Sequence, residues 1–410
     1  MYDPTRRKVL AAGGLLGALG AMGMMSPARA RTLTEWSWPA GDSVAGSGPG
    51  VDPHLIWDAK ADPVVSALLD DGVVPQVNEL LRKWTRNDQP LPQGLPRDLR
   101  DFMEEARELP SWTDQDKLAT AVEFNEKRGL YLGVLYGLAS GMMSTVIPQE
   151  ALAVYYSKGG ADMKTRIAKT AKLGYDIGAS NAYKPDGEMV VTAVKTRLVH
   201  AAVRHLLPQS PRWAEVAPEE VPISQADIMV TWHSLPTTVM QKLAAWEVPI
   251  PEEESEAFLH TWQIGAHMLG VDDEYIPATW EAADDQAAQV LDPILAPTRE
   301  GVDLADILLG LGEEVDLGII SRPVLGSFTR FMLGDEIAGW LEIPREPFWD
   351  RALDTFWDPF VAVREGALDR FPGTSGLYWT FDEFLRRAAL LFLSEAKPIS
   401  IEIPTHNRPE

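Results

Sequence analysis

The chain has 410 residues, a formal charge of −23 at pH 7 and no cysteine. The charge argues against nucleic acid or an anionic membrane as partner. The missing cysteine excludes disulfides, iron–sulfur clusters, thiolate ligands and covalently attached c-type haem.

Residues 1–30 read as an address. Thr5-Arg6-Arg7-Lys8-Val9-Leu10 is a twin-arginine pattern, an apolar run extends to Met25, and Ala28-Arg29-Ala30 offers a cleavage site. The run is too short and glycine-rich for a membrane span, so stable membrane insertion is not expected. No strand precedes its Gly13-Gly14…Gly17…Gly20 series, which is therefore not a dinucleotide loop. This leader predicts export of a folded protein and favours a prosthetic group inserted beforehand.

Residues 31–60 mix Gly, Ser and Pro with isolated Trp and predict an extended arm over the surface. A helix is expected from Asp62 to Trp84, broken at Gly72 and Pro75. A proline-rich loop precedes a short helix over Arg97–Glu108. After the cap signals Ser111 and Thr113, a long helix runs from Asp114 to Gly141 and becomes apolar towards its end. Pro148-Gln149-Glu150 opens another helix, and Lys164 to Lys172 lies in the next. The segment 175–188 is a loop, and Val190–Leu207 is a helix ended by Pro208. Further helices are predicted near Ser224–Trp246, Glu252–Leu269, Thr279–Leu291, Asp303–Leu311, Ser327–Trp340, Pro347–Asp358 and Phe381–Leu393. Only Ile399–Ile403 alternates like a strand. The prediction is an all-α protein. It forms one domain over 31–410, with its helical core at about 110–345 and C-terminal helices and tail over 346–410.

The helix Val190–Leu207 carries Arg197, His200 and Arg204 at i, i+3 and i+7, one stripe hemmed in by aliphatic side chains. Such a stripe calls for an anionic or metal-bearing partner, since charges against apolar surface cost several kcal/mol. A solvated charged face with a chance histidine would give the same spacing. Upstream, Arg166, Lys169 and Thr170 share another stripe at i, i+3 and i+4. The loop at 175–188 folds the two helices together, so a flat cofactor could lie between Lys169 and His200. Haem suits this arrangement: a neutral imidazole is a common iron ligand, and arginines one turn to either side would meet the porphyrin rim and its propionates. Surface pairing with this chain's many carboxylates would equally account for Arg166 and Lys169. The other histidines do not form a metal site. His260 and His267 are about 10 Å apart along a helix and read as core or rim residues, and His233 reads as a packing residue. His205 lies about 140° around the helix from His200.

The set Glu150, Arg166-x-x-Lys169-Thr170 and Arg197-x-x-His200-x-x-x-Arg204 resembles the latex clearing proteins. These are secreted rubber oxygenases of the MpaB-like oxygenase group. The resemblance covers roughly 60–400 and includes the leader. It implies a globin-like helical core around one non-covalent haem b, with additional helices at both ends. A monomer is expected, although the sequence itself leaves the oligomeric state open. It further implies dioxygen as co-substrate and oxidative endo-cleavage of the double bonds of cis-1,4-polyisoprene, giving oligoisoprenoids with aldehyde and ketone ends. Carried over by position, His200 is the proximal iron ligand and Lys169 the distal ligand of a closed state. Glu150 is the distal acid/base group, Arg166 and Thr170 line or support the distal haem environment, and Arg197 and Arg204 hold the propionates or stabilise the haem pocket. Arg330, in Ser327-Phe328-Thr329-Arg330-Phe331, matches another family arginine. Freeing an ordinary lysine amine of its proton at pH 7 costs about 4–5 kcal/mol, so such a ligand is a labile lid on iron. Three alternatives stay open on the residues: an oxygenase of the same group acting on a smaller lipid or terpenoid, a globin-like oxygen or haem carrier, and an acidic-ligand binder using Arg166, Arg197 and Arg204.

Overall fold

Helix breakers and caps divide the chain where the sequence places them. The computed structural model describes residues 36–157, 163–217, 220–315, 321–370, 394–395 and 398–408. The predicted leader and the helix expected over Phe381–Leu393 lie outside these residues. Helices α1 (Ala61–Asp70) and α2 (Val74–Leu81) separate at Gly72, whose φ of +67° ends the first. Then come α3 (Arg97–Ala106) and α4 (Gln115–Val134), the latter capped by the Asp114 carboxylate, which accepts from the Asp116 and Lys117 amides. A π-helical turn at Leu135–Ser140 leads into α5 (Gly141–Met143). Next in order are α6 (Pro148–Tyr156), α7 (Met163–Ile177), α8 (Met189–Leu206), α9 (Pro211–Val216) and α10 (Gln225–Trp232). A second π turn, His233–Thr237, precedes α11 (Thr238–Ala245). Pro236 sits inside it and has no N–H to offer the helical ladder, which widens there. The chain continues with α12 (Glu252–Met268), α13 (Trp280–Val290), α14 (Arg299–Val315), α15 (Arg322–Trp340) and α16 (Pro347–Arg370). Among the described residues there is no β-strand, only an isolated bridge between Ser43 and Pro277. The all-α expectation holds.

The core forms where apolar faces meet. α4 packs along α12, with the Phe124 and Phe258 rings 4.7 Å apart. α8 lies between α1 and α7 and buries Val194, Leu198, Ala201 and Ala202, while α1 contributes Ala61, Val65 and Leu68. A fully buried aliphatic or aromatic side chain contributes about 1.5–3 kcal/mol, so this packing fixes α8 firmly. The composite helix Gln115–Val146 is long and apolar enough to cross a bilayer, yet Tyr131, Leu132, Leu135, Ala139 and Met142 are buried in the protein's own core. The two π turns face each other, and Ser140 Oγ donates to the Ser234 carbonyl at 2.6 Å.

One expectation needs correction. The strand-like tail is not a strand. Ile401 and Ile403 are buried, but the hydrogen bonds come from one side chain: Asn78 donates to the Ile403 carbonyl at 2.9 Å and accepts from its amide at 3.0 Å. Alternation reported one-sided burial, and a carboxamide took the place of a neighbouring strand. The described part of the arm before α1 is mostly exposed or half-buried, but it is pinned at a few points. Trp38 is buried with its indole donating to the Ala282 carbonyl at 3.0 Å, and Asp58 is buried as well.

Candidate functional site

The site is assembled by α6, α7, α8 and α10. Pro148 starts α6 and sets Glu150 in its first turn. Ser224 and Asp227 form a capping box that starts α10, and one turn later Thr231 Oγ1 donates to Glu150 Oε1. Arg166 on α7 lies where its charge is felt by both Glu150 and His200, and His200 also feels Arg204 and Asp58. Glu150, Arg166, His200 and Arg204 therefore share one electrostatic neighbourhood, contributed by the three consecutive helices α6, α7 and α8.

Enclosure dominates the site's protonation. Glu150, Arg166 and His200 are half-buried as whole residues, but burial is the largest influence on the titration of each. Burial pushes the Glu150 carboxyl up to about 7, with the Asp227 charge adding and the Thr231 hydroxyl and Arg166 opposing. It pulls Arg166 down to about 10 against the Glu150 charge. It holds His200 down at about 3, helped by Arg204 and Arg166 and opposed by Asp58. The imidazole is neutral across the physiological range, and its Nδ1 is buried without a hydrogen-bond partner. An unsatisfied buried nitrogen costs about 1–3 kcal/mol. Neutral imidazole with nitrogen valency to spare is what a haem iron takes, so the residues present fit the group that the motif implies. Among the described residues no cluster of His, Asp and Glu could hold an ion by itself.

The two arginines flanking His200 have partners that the sequence analysis missed. Arg197 meets the buried Asp58 through Nε at 2.5 Å and Nη2 at 2.9 Å, and its guanidinium lies 5.1 Å from the centre of the Phe102 ring. Arg204 donates through Nε to Asp62 at 2.8 Å and through Nη1 to the Ile223 carbonyl at 3.0 Å. Gly270, at φ +93°, passes so close that a Cβ there would sit 2.7 Å from Arg197 Nε and from Asp58 Oδ2. No spacing in the sequence signals these pairs, because Asp58 precedes α1 and shares no helix with Asp62.

The remaining predicted residues lie on α7 and α15. Lys169 is half-buried on α7, and its charge is felt by Glu402 in the tail. Thr170 is exposed on the same helix. Arg330 pairs with Asp335 at 3.0 Å and donates to the Ile343 carbonyl at 2.7 Å, and none of its described contacts reaches Glu150, Arg166 or His200. The other histidines are held by the protein: His233 by Thr237 and Gln286, His260 by the Asp114 amide, His267 by Asp273.

Residues 127–363 match the family described as ER-bound oxygenase mpaB/B'/rubber oxygenase, catalytic domain, a span that contains all four helices of the site. A rubber oxygenase of Streptomyces sp. (strain K30) is 56% identical over 406 residues, 99% of each chain. The chain belongs to the rubber oxygenase family. The solved structure of a latex clearing protein in its closed state aligns with a TM-score of 0.82 and 57% identity, over 90% of this chain and 99% of that one. This rubber oxygenase thus has the all-helical fold of the latex clearing proteins, and it is an oxygenase.

Proposed function

We propose that this rubber oxygenase is a secreted, haem b-dependent dioxygenase that cleaves the double bonds of cis-1,4-polyisoprene internally, leaving oligoisoprenoids with aldehyde and ketone ends. The twin-arginine leader would direct its export. The observation that carries the reading is the neutral His200 imidazole, its Nδ1 buried and unpartnered, sharing one enclosure with Arg166 and Glu150.

In this reading His200, on α8, would hold the haem iron. Arg166 has no hydrogen bond or ion pair among the described residues, which leaves its charge available to an anionic edge or to oxygen. When bound, the haem supplies the redox chemistry with dioxygen. Glu150 handles the proton. Thr231 occupies Oε1, so Oε2 is the atom that takes up an allylic proton from the substrate and returns it. A carboxyl at about 7 changes form near neutral pH, where a general base works best. Lys169 would serve as a displaceable ligand of the iron and Thr170 would line the same pocket. Arg197 and Arg204, tied to Asp58 and Asp62, fix the stripe that presents His200 and would steady the pocket that holds the haem.

The test is an absorption spectrum of the isolated protein, oxidised and reduced, beside latex turnover. The protein is expected to show a Soret band, and His200→Ala to lose it together with activity. A colourless protein that cleaves latex overturns the proposal.

A further inference from the structure

Apolar side chains on this surface are concentrated in one place. Of the nine exposed large hydrophobic residues among those described, five lie on α16: Phe348, Trp349, Phe356, Phe360 and Val363. They include all four exposed aromatic rings, and Phe348, Phe356 and Val363 are 74%, 67% and 73% exposed. Trp349, Phe356, Phe360 and Val363 are spaced by seven, four and three residues, so they share one stripe, which Ala352 and Pro359 continue. The helix's exposed charges, Arg351, Asp354 and Asp358, fall on other faces. A neutral stripe of rings on so acidic a chain is out of keeping with a solvated face.

The opposite face of α16 is anchored. Glu365 accepts from the Tyr131 hydroxyl at 3.0 Å and lies 3.0 Å from Arg128, both on α4. The aromatic stripe is therefore presented on a fixed support. It continues inward: Phe360 and Trp357 line an apolar cleft of about 300 Å³ with Leu130, Tyr131, Val134 and Phe328. Val134 leads into the first π turn, whose Tyr136 ring lies against Gly174 of α7, the helix that carries Arg166 and Lys169.

We infer that the outer face of α16 is an adsorption surface for the hydrocarbon polymer, holding the enzyme on a polyisoprene particle with the cleft beneath Phe360 receiving a chain segment. The inference rests on the proposed polyisoprene substrate. An uncharged hydrocarbon offers neither hydrogen bonds nor charge, so an enzyme of net charge −23 can hold to it only through apolar contact. A charge-free stripe of rings joined to an apolar cleft meets that requirement, whereas a lipid headgroup surface would call for cationic neighbours.

The experiment compares the holoenzyme with a Phe348→Ser, Phe356→Ser, Val363→Ser variant. The readouts are co-sedimentation with polyisoprene particles, co-sedimentation with phosphatidylcholine vesicles, and turnover of latex and of a short soluble oligoisoprenoid. Sedimentation with polyisoprene is expected to weaken by about tenfold or more, and latex turnover to fall with it. Short-chain turnover and the absorption spectrum stay as they were. Phe356→Ser alone should show the same direction, which covers poor folding of the triple variant. Unchanged adsorption overturns the inference. So does binding to vesicles as strong as to polyisoprene, which would assign the face to membranes, and so does equal loss of short-chain turnover. Failure of the substrate reading looks different: the unaltered enzyme would leave latex uncleaved whatever its adsorption.

Discussion

Replacing Glu150 by glutamine separates the cost of the site from its use. The fold raises this carboxyl from 4.5 to about 7. At about 1.4 kcal/mol per pH unit, the gap corresponds to about 3 kcal/mol against the ionised form in the folded protein. The sign follows from protons bound. Below pH 4.5 the group is protonated in both folded and unfolded chains, and nothing is lost. Between 4.5 and about 7 the unfolded chain gives up the proton first, so stability declines, and above about 7 the full penalty applies. The carboxamide of the Glu150→Gln variant stays neutral throughout, and its oxygen can still accept from Thr231. Urea unfolding of Glu150→Gln against the parent should therefore show no difference at about pH 4 and a gain of about 3 kcal/mol, as an upper bound, at about pH 8. Activity should move the other way: the parent's rate rises with pH through about 7, while the variant is slowed about 10²–10⁴-fold and loses that rise. A stability difference independent of pH, or a variant with parental turnover, would refute the reasoning.

Thr231→Val removes the hydroxyl that favours the Glu150 carboxylate, so the pH–rate profile should shift to higher pH. Asp58→Asn leaves Arg197 without its charge partner and should cost about 3–5 kcal/mol in urea unfolding at pH 7. Because the Asp58 carboxyl is held below its ordinary value, that contribution is present above pH 3.8 and disappears as pH falls further, which an acid titration of parent and variant checks. Gly270→Ala forces a Cβ onto the Arg197–Asp58 pair in a backbone region that L-residues avoid, and should destabilise by about 1–3 kcal/mol, read as a lowered thermal midpoint.

Helix positions were legible because they follow from spacing, and so were a basic stripe on α7 and another on α8; spacing set Lys169 opposite His200, whereas the charge on α7 that His200 is shown to feel is that of Arg166. Glu150 entered only through the family resemblance, since a lone carboxylate at the start of a helix reads as a favourable end charge. The partners of Arg197 and Arg204 were not legible. Asp58 and Asp62 precede them by 139 and 142 residues, and no periodicity links positions that far apart. The tail failed for a related reason. Alternation at Ile401 and Ile403 encodes which side is buried, but not whether a strand or the Asn78 side chain supplies the hydrogen bonds.

Spacing made Arg166, Arg197 and Arg204 look alike, and the structure separates them. Two are neutralised by carboxylates from the segment leading into α1, and the third keeps its charge within reach of both His200 and Glu150. A positive field alone would lower the titration of both groups. His200 is indeed lowered, but Glu150 is raised, and Arg166 itself is lowered. All three move towards their neutral forms, which is the signature of exclusion from water and not of a dominant charge. The site is thus set by dryness first and by its arginine second. In the proposed function, the same dryness would let Glu150 act as a base near neutral pH and would admit a hydrocarbon chain at little desolvation cost. Changes that let water in should therefore perturb proton handling and substrate entry together, whereas removing a single charge should shift only the first.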